Sequence, residues 1–461
     1  MTRSGQLAVE NPATGATIAE VPALTPQAVH GAVTKAATAF ADWSGRSVAE
    51  RAEHLLACHA ALGAHVEKLA RLLTLEQGKP LADARAEVSL AVDWFRQTAT
   101  ITLAPEHVDD ARARIRVDRV PHGVVAAIAP SNYPVILAVT KVAPALLAGN
   151  TVVLKPSPLT PLSAMRMVDV LGAVLPSGVL TVTAGDGDVG RALVGHPAVA
   201  MVSFTGSVAT GRAIAGQAAS RFAPVVLELG GNDPAIVLPG ADIAGTAEGI
   251  YWAAVRNSGQ FCAAVKRVYV PHGHLAKLTD ALAGLAESTV VGDGLAPDTR
   301  LGPLVSRVQL DRVDSIVSGA RDAGARVVTG GHRQPGVGHF YPPTVVTDLP
   351  AGTALELDEQ FGPALPVIGY GDVEEAVRRA NATEFGLGGS VWGDEELARD
   401  VARRLDCGTA WVNTHGELRA DVPFGGLRAS GRGVEYGYWG LLEYTRIKVL
   451  HTAIRTGDAN R

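Results

Sequence analysis

The chain has 461 residues, 47% hydrophobic and 19% charged, a balance that excludes disordered and fibrous classes and a length that allows about three folding units around a large buried core. Its 41 basic and 46 acidic residues give a formal charge of -5 and are mixed along the sequence, without the clustered Lys/Arg face that phosphate backbones demand, so nucleic acid is not expected as a partner. Three cysteines, Cys58, Cys262 and Cys407, lie far apart and in odd number, which fits neither a disulfide framework nor a zinc knuckle; no metal and a reducing compartment are expected.

The first residues, Met1 to Asn11, carry no apolar stretch behind Arg3, which argues against a secretory signal and for a cytoplasmic protein. Up to about residue 100 the pattern reads as helices. Thr25-Pro26 is a cap with a first-turn proline, and Val29, Val33 and Phe40 follow at helical spacing. Ser47 and Glu50 have the form of a capping box, with Leu55, Leu56, Leu62 and Leu69 as the apolar stripe beyond it. A third stripe runs through Val88, Val92 and Phe95.

From Gly123 the pattern changes to short apolar runs that end in turn residues, the mark of buried parallel strands. Strands are predicted at Gly123–Ala129, Thr151–Leu154, Ala200–Phe204, Val225–Leu229 and Ala235–Leu238, with helices over Val135–Leu147 and from Thr160-Pro161 to Leu175. The stretch Val135–Gly149 is the most apolar of the chain, but Lys141 and Pro144 interrupt it and it is too short to span a bilayer, so no membrane is expected. The alternation repeats after Val265, with strands at Arg267–Val270, Arg326–Val328 and Val367–Tyr370. The fold class expected is α/β: a Rossmann-like doubly wound sheet, a second α/β domain, and a small β element around Arg114–Val120.

Four segments carry candidate chemistry. In Asn257-Ser-Gly-Gln-Phe-Cys262 a thiol follows a polar, glycine-containing stretch and is expected near a helix start, where a thiol's pKa falls. In Val226-Leu-Glu228-Leu-Gly-Gly231 a carboxylate sits in an apolar strand, unfavourable unless used or paired; the bland alternative is a salt-bridged strand end. Pro130-Ser-Asn132-Tyr-Pro134 ends the Gly123 strand, where open α/β sheets bind ligands, although an Asn there also serves as a helix cap. Phe204-Thr-Gly206-Ser207-Val-Ala-Thr-Gly211 is a strand, a turn and a helix start able to face a pyrophosphate, with a glycine spacing unlike the G-x-G-x-x-G pattern.

Taken together and in order, these segments resemble the aldehyde dehydrogenase superfamily. The likeness runs from Asn11-Pro-Ala-Thr-Gly15 to Tyr444-Thr445 and includes Glu359-Gln-Phe361-Gly-Pro363, Asn381 to Ser390 and Pro423-Phe-Gly-Gly-Leu-Arg-Ala-Ser-Gly431. The resemblance implies an NAD(P)-dependent, hydrolytic oxidation of an aldehyde to its acid. Cys262 is then the nucleophile, Glu228 the general base, Asn132 an oxyanion donor, and Glu435 a group that helps relay the proton of the base. It assigns Pro130, Lys155, Ser157, Gly206, Ser207, Leu229, Glu359 and Phe361 to the cofactor, and makes Tyr133, Thr140, Arg256, Phe261 and Phe424 candidates for the aldehyde pocket. It further implies an NAD(P)-binding domain of residues 1–101 and 121–230, a catalytic domain of 231–441, and an oligomerisation element of 102–120 and 442–461 joining a homodimer or homotetramer.

Several positions depart from the family pattern. Where many NAD-using members have a glutamate three residues after the lysine of the Lys155-Pro156 block, this chain has Pro158, which leaves the choice of cofactor open with a small lean to NAD. Ser131 and Tyr133 alter the pocket wall. Arg256, with His415, Glu417 and Arg419 in the loop expected to form the substrate funnel, suggests a polar or carboxylate-bearing aldehyde and hence a semialdehyde dehydrogenase as one alternative. A CoA-acylating enzyme and a silent binding homologue are the others, and the presence of Asn132, Glu228 and Cys262 counts against both.

Overall fold

The structure, a computed structural model, describes residues 5–454; the start of the N-terminal segment and residues 455–461 of the expected oligomerisation element lie outside the described residues. The described residues do not begin with a helix. A two-stranded antiparallel hairpin, Gln6–Glu10 with Thr17–Pro22, comes first and buries Val9 and Val21. Strands of five and six residues with one inward apolar side chain each leave too weak an alternation to be read.

The helices that follow form where the caps predict. Thr25 accepts the amide of Ala28 at the start of Pro26–Gly45, and Ser47 and Glu50 form both arms of a capping box ahead of Val48–Gly63. That second helix buries Leu55 and Leu62 but turns Leu56 outward, and Leu69 belongs to a further helix, Val66–Gln77. Leu81–Ala99 completes the group and packs on Ile136–Leu147.

A six-stranded sheet runs in the order Gly431–Arg432, Val225–Glu228, Val199–Thr205, Val124–Ile128, Thr151–Lys155, Leu180–Val182, parallel except at its first strand. Its register aligns Ile128 with Lys155 and with Phe204, and Thr205 with Glu228. The segments that follow these strands therefore leave the sheet along one edge. Five residues after Glu228, at Asp233, the chain enters a second, seven-stranded sheet, in the order Arg326–Thr329, Thr344–Thr347, Ala364–Tyr370, Val265–Pro271, Asp233–Val237, Gly388–Trp392, Thr409–Val412. After the last strand of that second sheet, Gly431–Arg432 returns to the first and pairs antiparallel with Leu227 and Glu228.

A separate three-stranded sheet pairs Ala113–Pro121 along its whole length with Thr445–Ala453 and, on its other side, with Glu106–His107. Among the described residues no helix is long and apolar enough to cross a membrane.

Candidate active site

The sheet edge gathers Pro130, Ser131 and Asn132 after one strand, Lys155 and Ser157 after the next, Gly206 and Ser207 after the third, and Glu228 and Leu229 at the fourth. Cys262 reaches the same space from the second half of the chain. Helix Ile243–Val255 ends there because Asn257 and Ser258 adopt φ of 51° and 56° and Gly259 follows at 73°, three left-handed residues in a row. Such a run is costly for non-glycine residues and persists only when its surroundings fix it. The fixing contacts are specific: Asn257 Nδ2 donates to the Asn132 carbonyl at 2.9 Å, Ser258 Oγ to the Gly302 carbonyl at 2.6 Å, and Gln260 accepts from the Val305 amide at 2.8 Å.

This turn corrects two expectations about the thiol. Cys262 does not stand near a helix start; it lies between the end of a helix and the strand Val265–Pro271, because the left-handed residues stop helical propagation. Its pKa is pushed up and not down, first by burial and then by the carboxylates of Glu359, Glu228 and Asp233.

Asn132 is buried, donates from Nδ2 to the Gln260 carbonyl at 3.0 Å, and shares a cavity with Cys262. Glu228 is also buried, and neither carboxylate oxygen has a hydrogen-bond partner among the described residues. Its pKa is raised well above the ordinary value by burial and by Glu435, while Lys141 opposes the rise. Lys141 itself is fully buried; its Nζ bonds Glu435 Oε1 and donates to Thr205 Oγ1 at 2.6 Å. Thr140 reaches Glu435 Oε2 at 3.5 Å. The backbone of Glu435 is held by an isolated bridge to Phe424. Lys141 was visible in the sequence as the one charge in a twelve-residue apolar helix, and a buried charge requires a partner.

Two cavities run from this centre along the sheet edge, about 530 Å³ and about 670 Å³, and share Pro130, Ser131, Thr205 and Gly206. The first is lined also by Ser207, Leu229, Cys262, Glu359 and Phe361, the second by Lys155, Ser157, Pro158, Asp186 and Gln217. Their shared wall and polar lining fit a dinucleotide. The N-terminus of helix Val208–Ala219, capped by Ser207, opens on the shared wall, and Lys155 lies farther along with its pKa lowered by burial to about 8. Glu359 packs on Gly230 so closely that a Cβ there would meet its Oε2 at 2.1 Å, and its Oε1 accepts the Gly231 amide at 3.3 Å. Lys266, not singled out from the sequence, is buried with Nζ on the Gly259 carbonyl at 2.8 Å and 5.3 Å from the centre of the Phe361 ring.

On the other side of Cys262 a cavity of about 380 Å³ is lined by Trp94, Tyr133, Ile136, Leu137, Thr140, Phe261, Tyr436 and the polar Asp83, Arg256 and Glu417. Four of the five expected pocket residues line it. Phe424 does not: it stacks behind Tyr436, ring centres 5.8 Å apart at 13°, and Tyr436 makes the wall. His415 also departs from expectation. It is buried beneath the nucleophile turn, with Nε2 3.1 Å from the Ala263 carbonyl, and burial drives its pKa down to about 3. Arg419 pairs with Asp421 at the surface.

The sequence model of the aldehyde dehydrogenase family matches residues 1–450. A 3-sulfolactaldehyde dehydrogenase of Pseudomonas putida is 38% identical over 96% of this chain and 92% of its own length. A succinate-semialdehyde dehydrogenase [NADP(+)] of Escherichia coli is 36% identical, over 96% of this chain and 93% of its own. The solved NAD+ complex of an aldehyde dehydrogenase from Bacillus cereus superposes with a TM-score of 0.96 at 34% identity, covering 98% of this chain and 94% of that one.

Proposed function

The chain belongs to the aldehyde dehydrogenase family and is an NAD(P)-dependent oxidoreductase that converts an aldehyde to its carboxylic acid; we propose that Cys262 is its nucleophile, Asn132 its oxyanion donor and Glu228 the base that releases the acid. Cys262 gives its thiol proton to ionised Glu228, and the sulfur then attacks the aldehyde carbon, forming a C–S bond and placing the carbonyl electrons on oxygen. The Asn132 amide and the Cys262 backbone N–H then stabilise that oxyanion, each donor contributing about 3 kcal/mol. When bound, NAD(P) would supply the two-electron acceptor for the aldehyde hydrogen, whose loss as hydride turns the sulfur-bound carbon into a thioester. Residues that would hold it are Lys155 and Ser157 at the ribose, Ser207 and Gly206 at the pyrophosphate, and Glu359, Phe361, Leu229 and Pro130 about the nicotinamide riboside. Glu228 takes a proton from the water that cleaves the thioester, and Glu435 with Lys141 gives that proton a route away.

The observation that carries this reading is Glu228: a buried carboxylate without a hydrogen-bond partner among the described residues, its pKa raised, close enough to Cys262 to disturb the thiol. It also favours hydrolysis over acyl transfer to CoA. A panel of aldehydes with NAD or NADP tests it. Reduced cofactor forms without CoA, and a strict requirement for CoA contradicts the hydrolytic assignment.

Among cofactors we infer a preference for NAD. Asp186 is the acidic residue lining the cavity that holds Lys155, and its charge repels a 2′-phosphate even though Pro158 offers no carboxylate. A second reading concerns the aldehyde. Arg256 lines the outer wall of the 380 Å³ cavity, its guanidinium 5.7 Å from the Phe261 ring and in no ion pair among the described residues, which favours a carboxylate-bearing aldehyde. The division into a cofactor domain, a catalytic domain from residue 231 and an oligomerisation element, the cytoplasmic address and a homodimer or homotetramer complete the proposal.

A further inference from the structure

The segment Glu76-Gln-Gly-Lys79 and the helix Leu81–Ala99 bring two buried charges against the candidate site, and neither figures in the chemistry above. Lys79 Nζ lies 2.5 Å from Glu87 Oε2, with both side chains wholly buried. Such a pair contributes little to stability compared with apolar side chains of the same size, since desolvation offsets the attraction. What it does contribute here is satisfaction of specific backbone groups. Helix Ile136–Leu147 has no side-chain cap of its own; Glu87 Oε1 accepts the amides of Val135 at 2.9 Å and Ile136 at 3.3 Å instead. Lys79 Nζ donates to the carbonyl of Asn132 at 2.8 Å and stands 3.8 Å from the centre of the Tyr133 ring. The same Asn132 carbonyl accepts from Asn257 in the nucleophile turn.

One ion pair therefore grips the Asn132–Ile136 backbone at both ends, and every grip lies between the proposed oxyanion donor and the pocket wall. We propose that Lys79 and Glu87 are positioning residues for the oxyanion donor: they fix the Asn132 backbone so that its side-chain amide stays in the cavity that Cys262 lines, and they hold Tyr133 in the wall of the aldehyde pocket. The proposal rests on the reading of Asn132 as that donor. A donor displaced by even an ångström loses much of its effect on the transition state, while Lys155, Ser207 and Glu359, proposed to hold the cofactor, stand on other elements and keep their places.

The double variant Lys79→Met/Glu87→Gln removes both charges, keeps side-chain size and keeps an oxygen for the Val135 and Ile136 amides. In the full-length protein it is expected to lower kcat about 10-fold to 100-fold, with KM for NAD(P) and the rate of Cys262 alkylation by iodoacetamide within about two-fold of the parent. On an Asn132→Ala background the same double change is expected to cost less than about two-fold, because the residue it acts through is gone. An unchanged kcat, or an equal loss on both backgrounds, overturns the proposal while leaving Asn132 as donor. Full kcat in Asn132→Ala alone overturns the donor reading and the proposal with it. If the double variant does not fold, Glu87→Asp serves: it keeps the charge but shortens the reach, so a kcat at least three-fold lower with unchanged KM for NAD(P) supports the proposal, and parental kcat overturns it.

Discussion

Two buried carboxylates, Glu228 and Glu435, depend on the single positive charge of Lys141. Glu228 works as a base only when ionised, and its raised pKa means that kcat limited by thioester hydrolysis rises with pH along an acid limb above the ordinary carboxylate value of 4.5. Lys141→Met removes the charge that favours ionisation of Glu228. The acid limb is then expected to move to higher pH, and thermal unfolding to show a cost of about 3–5 kcal/mol from the uncompensated buried carboxylate. An unmoved limb contradicts the role of Lys141. At this scale the residue types were legible: Cys262, Asn132 and Glu228 each stood in an ordered motif. The state of the thiol was not, because its pKa depends on Glu359 and Asp233, which meet it only through the fold.

The element that presents Cys262, the proposed nucleophile, is a turn, not a helix start. Its left-handed backbone at Gly259 presses on the Gly362 carbonyl, where a Cβ would come within 2.2 Å. Gly259→Ala is expected to cost about 1–3 kcal/mol through strain and steric conflict and to lower kcat as the turn shifts; unchanged stability and kcat would show that the turn does not need this backbone. Helices with caps and full stripes were readable, as Ser47 and Glu50 illustrate. Strands such as Gly388–Trp392 were not, since two glycines replace the side chains whose alternation would mark them; Gly388 is small because Asp233 and Trp411 occupy the space of a Cβ. Phe424 and His415 were misplaced for a related reason: sequence position gives the loop but not which side of it faces the cavity.

For the whole molecule, the alternation after Gly123 correctly indicated an α/β architecture, yet the return strand Gly431–Arg432, which brings the chain back from the second sheet to the first, is too brief to leave a pattern. The strand Thr445–Ala453 exposes Ile447, Val449 and Leu450, 56–58% accessible each, beside its pairing with Ala113–Pro121. Exposed apolar strands of this kind call for a covering surface. Val449→Asp with Ile447→Asp is expected to reduce the particle mass in light scattering, and an unchanged mass removes this sheet from the assembly.

In the proposed reaction Cys262 carries the acyl group and Glu228 releases it. Peptide mass mapping of Glu228→Gln, quenched and digested after mixing with an aldehyde and oxidised cofactor, tests this most directly. The predicted result is an acyl mass, with the aldehyde hydrogen lost, on the peptide that contains Cys262. An acyl mass on another peptide, or full turnover with no adduct, would contradict it.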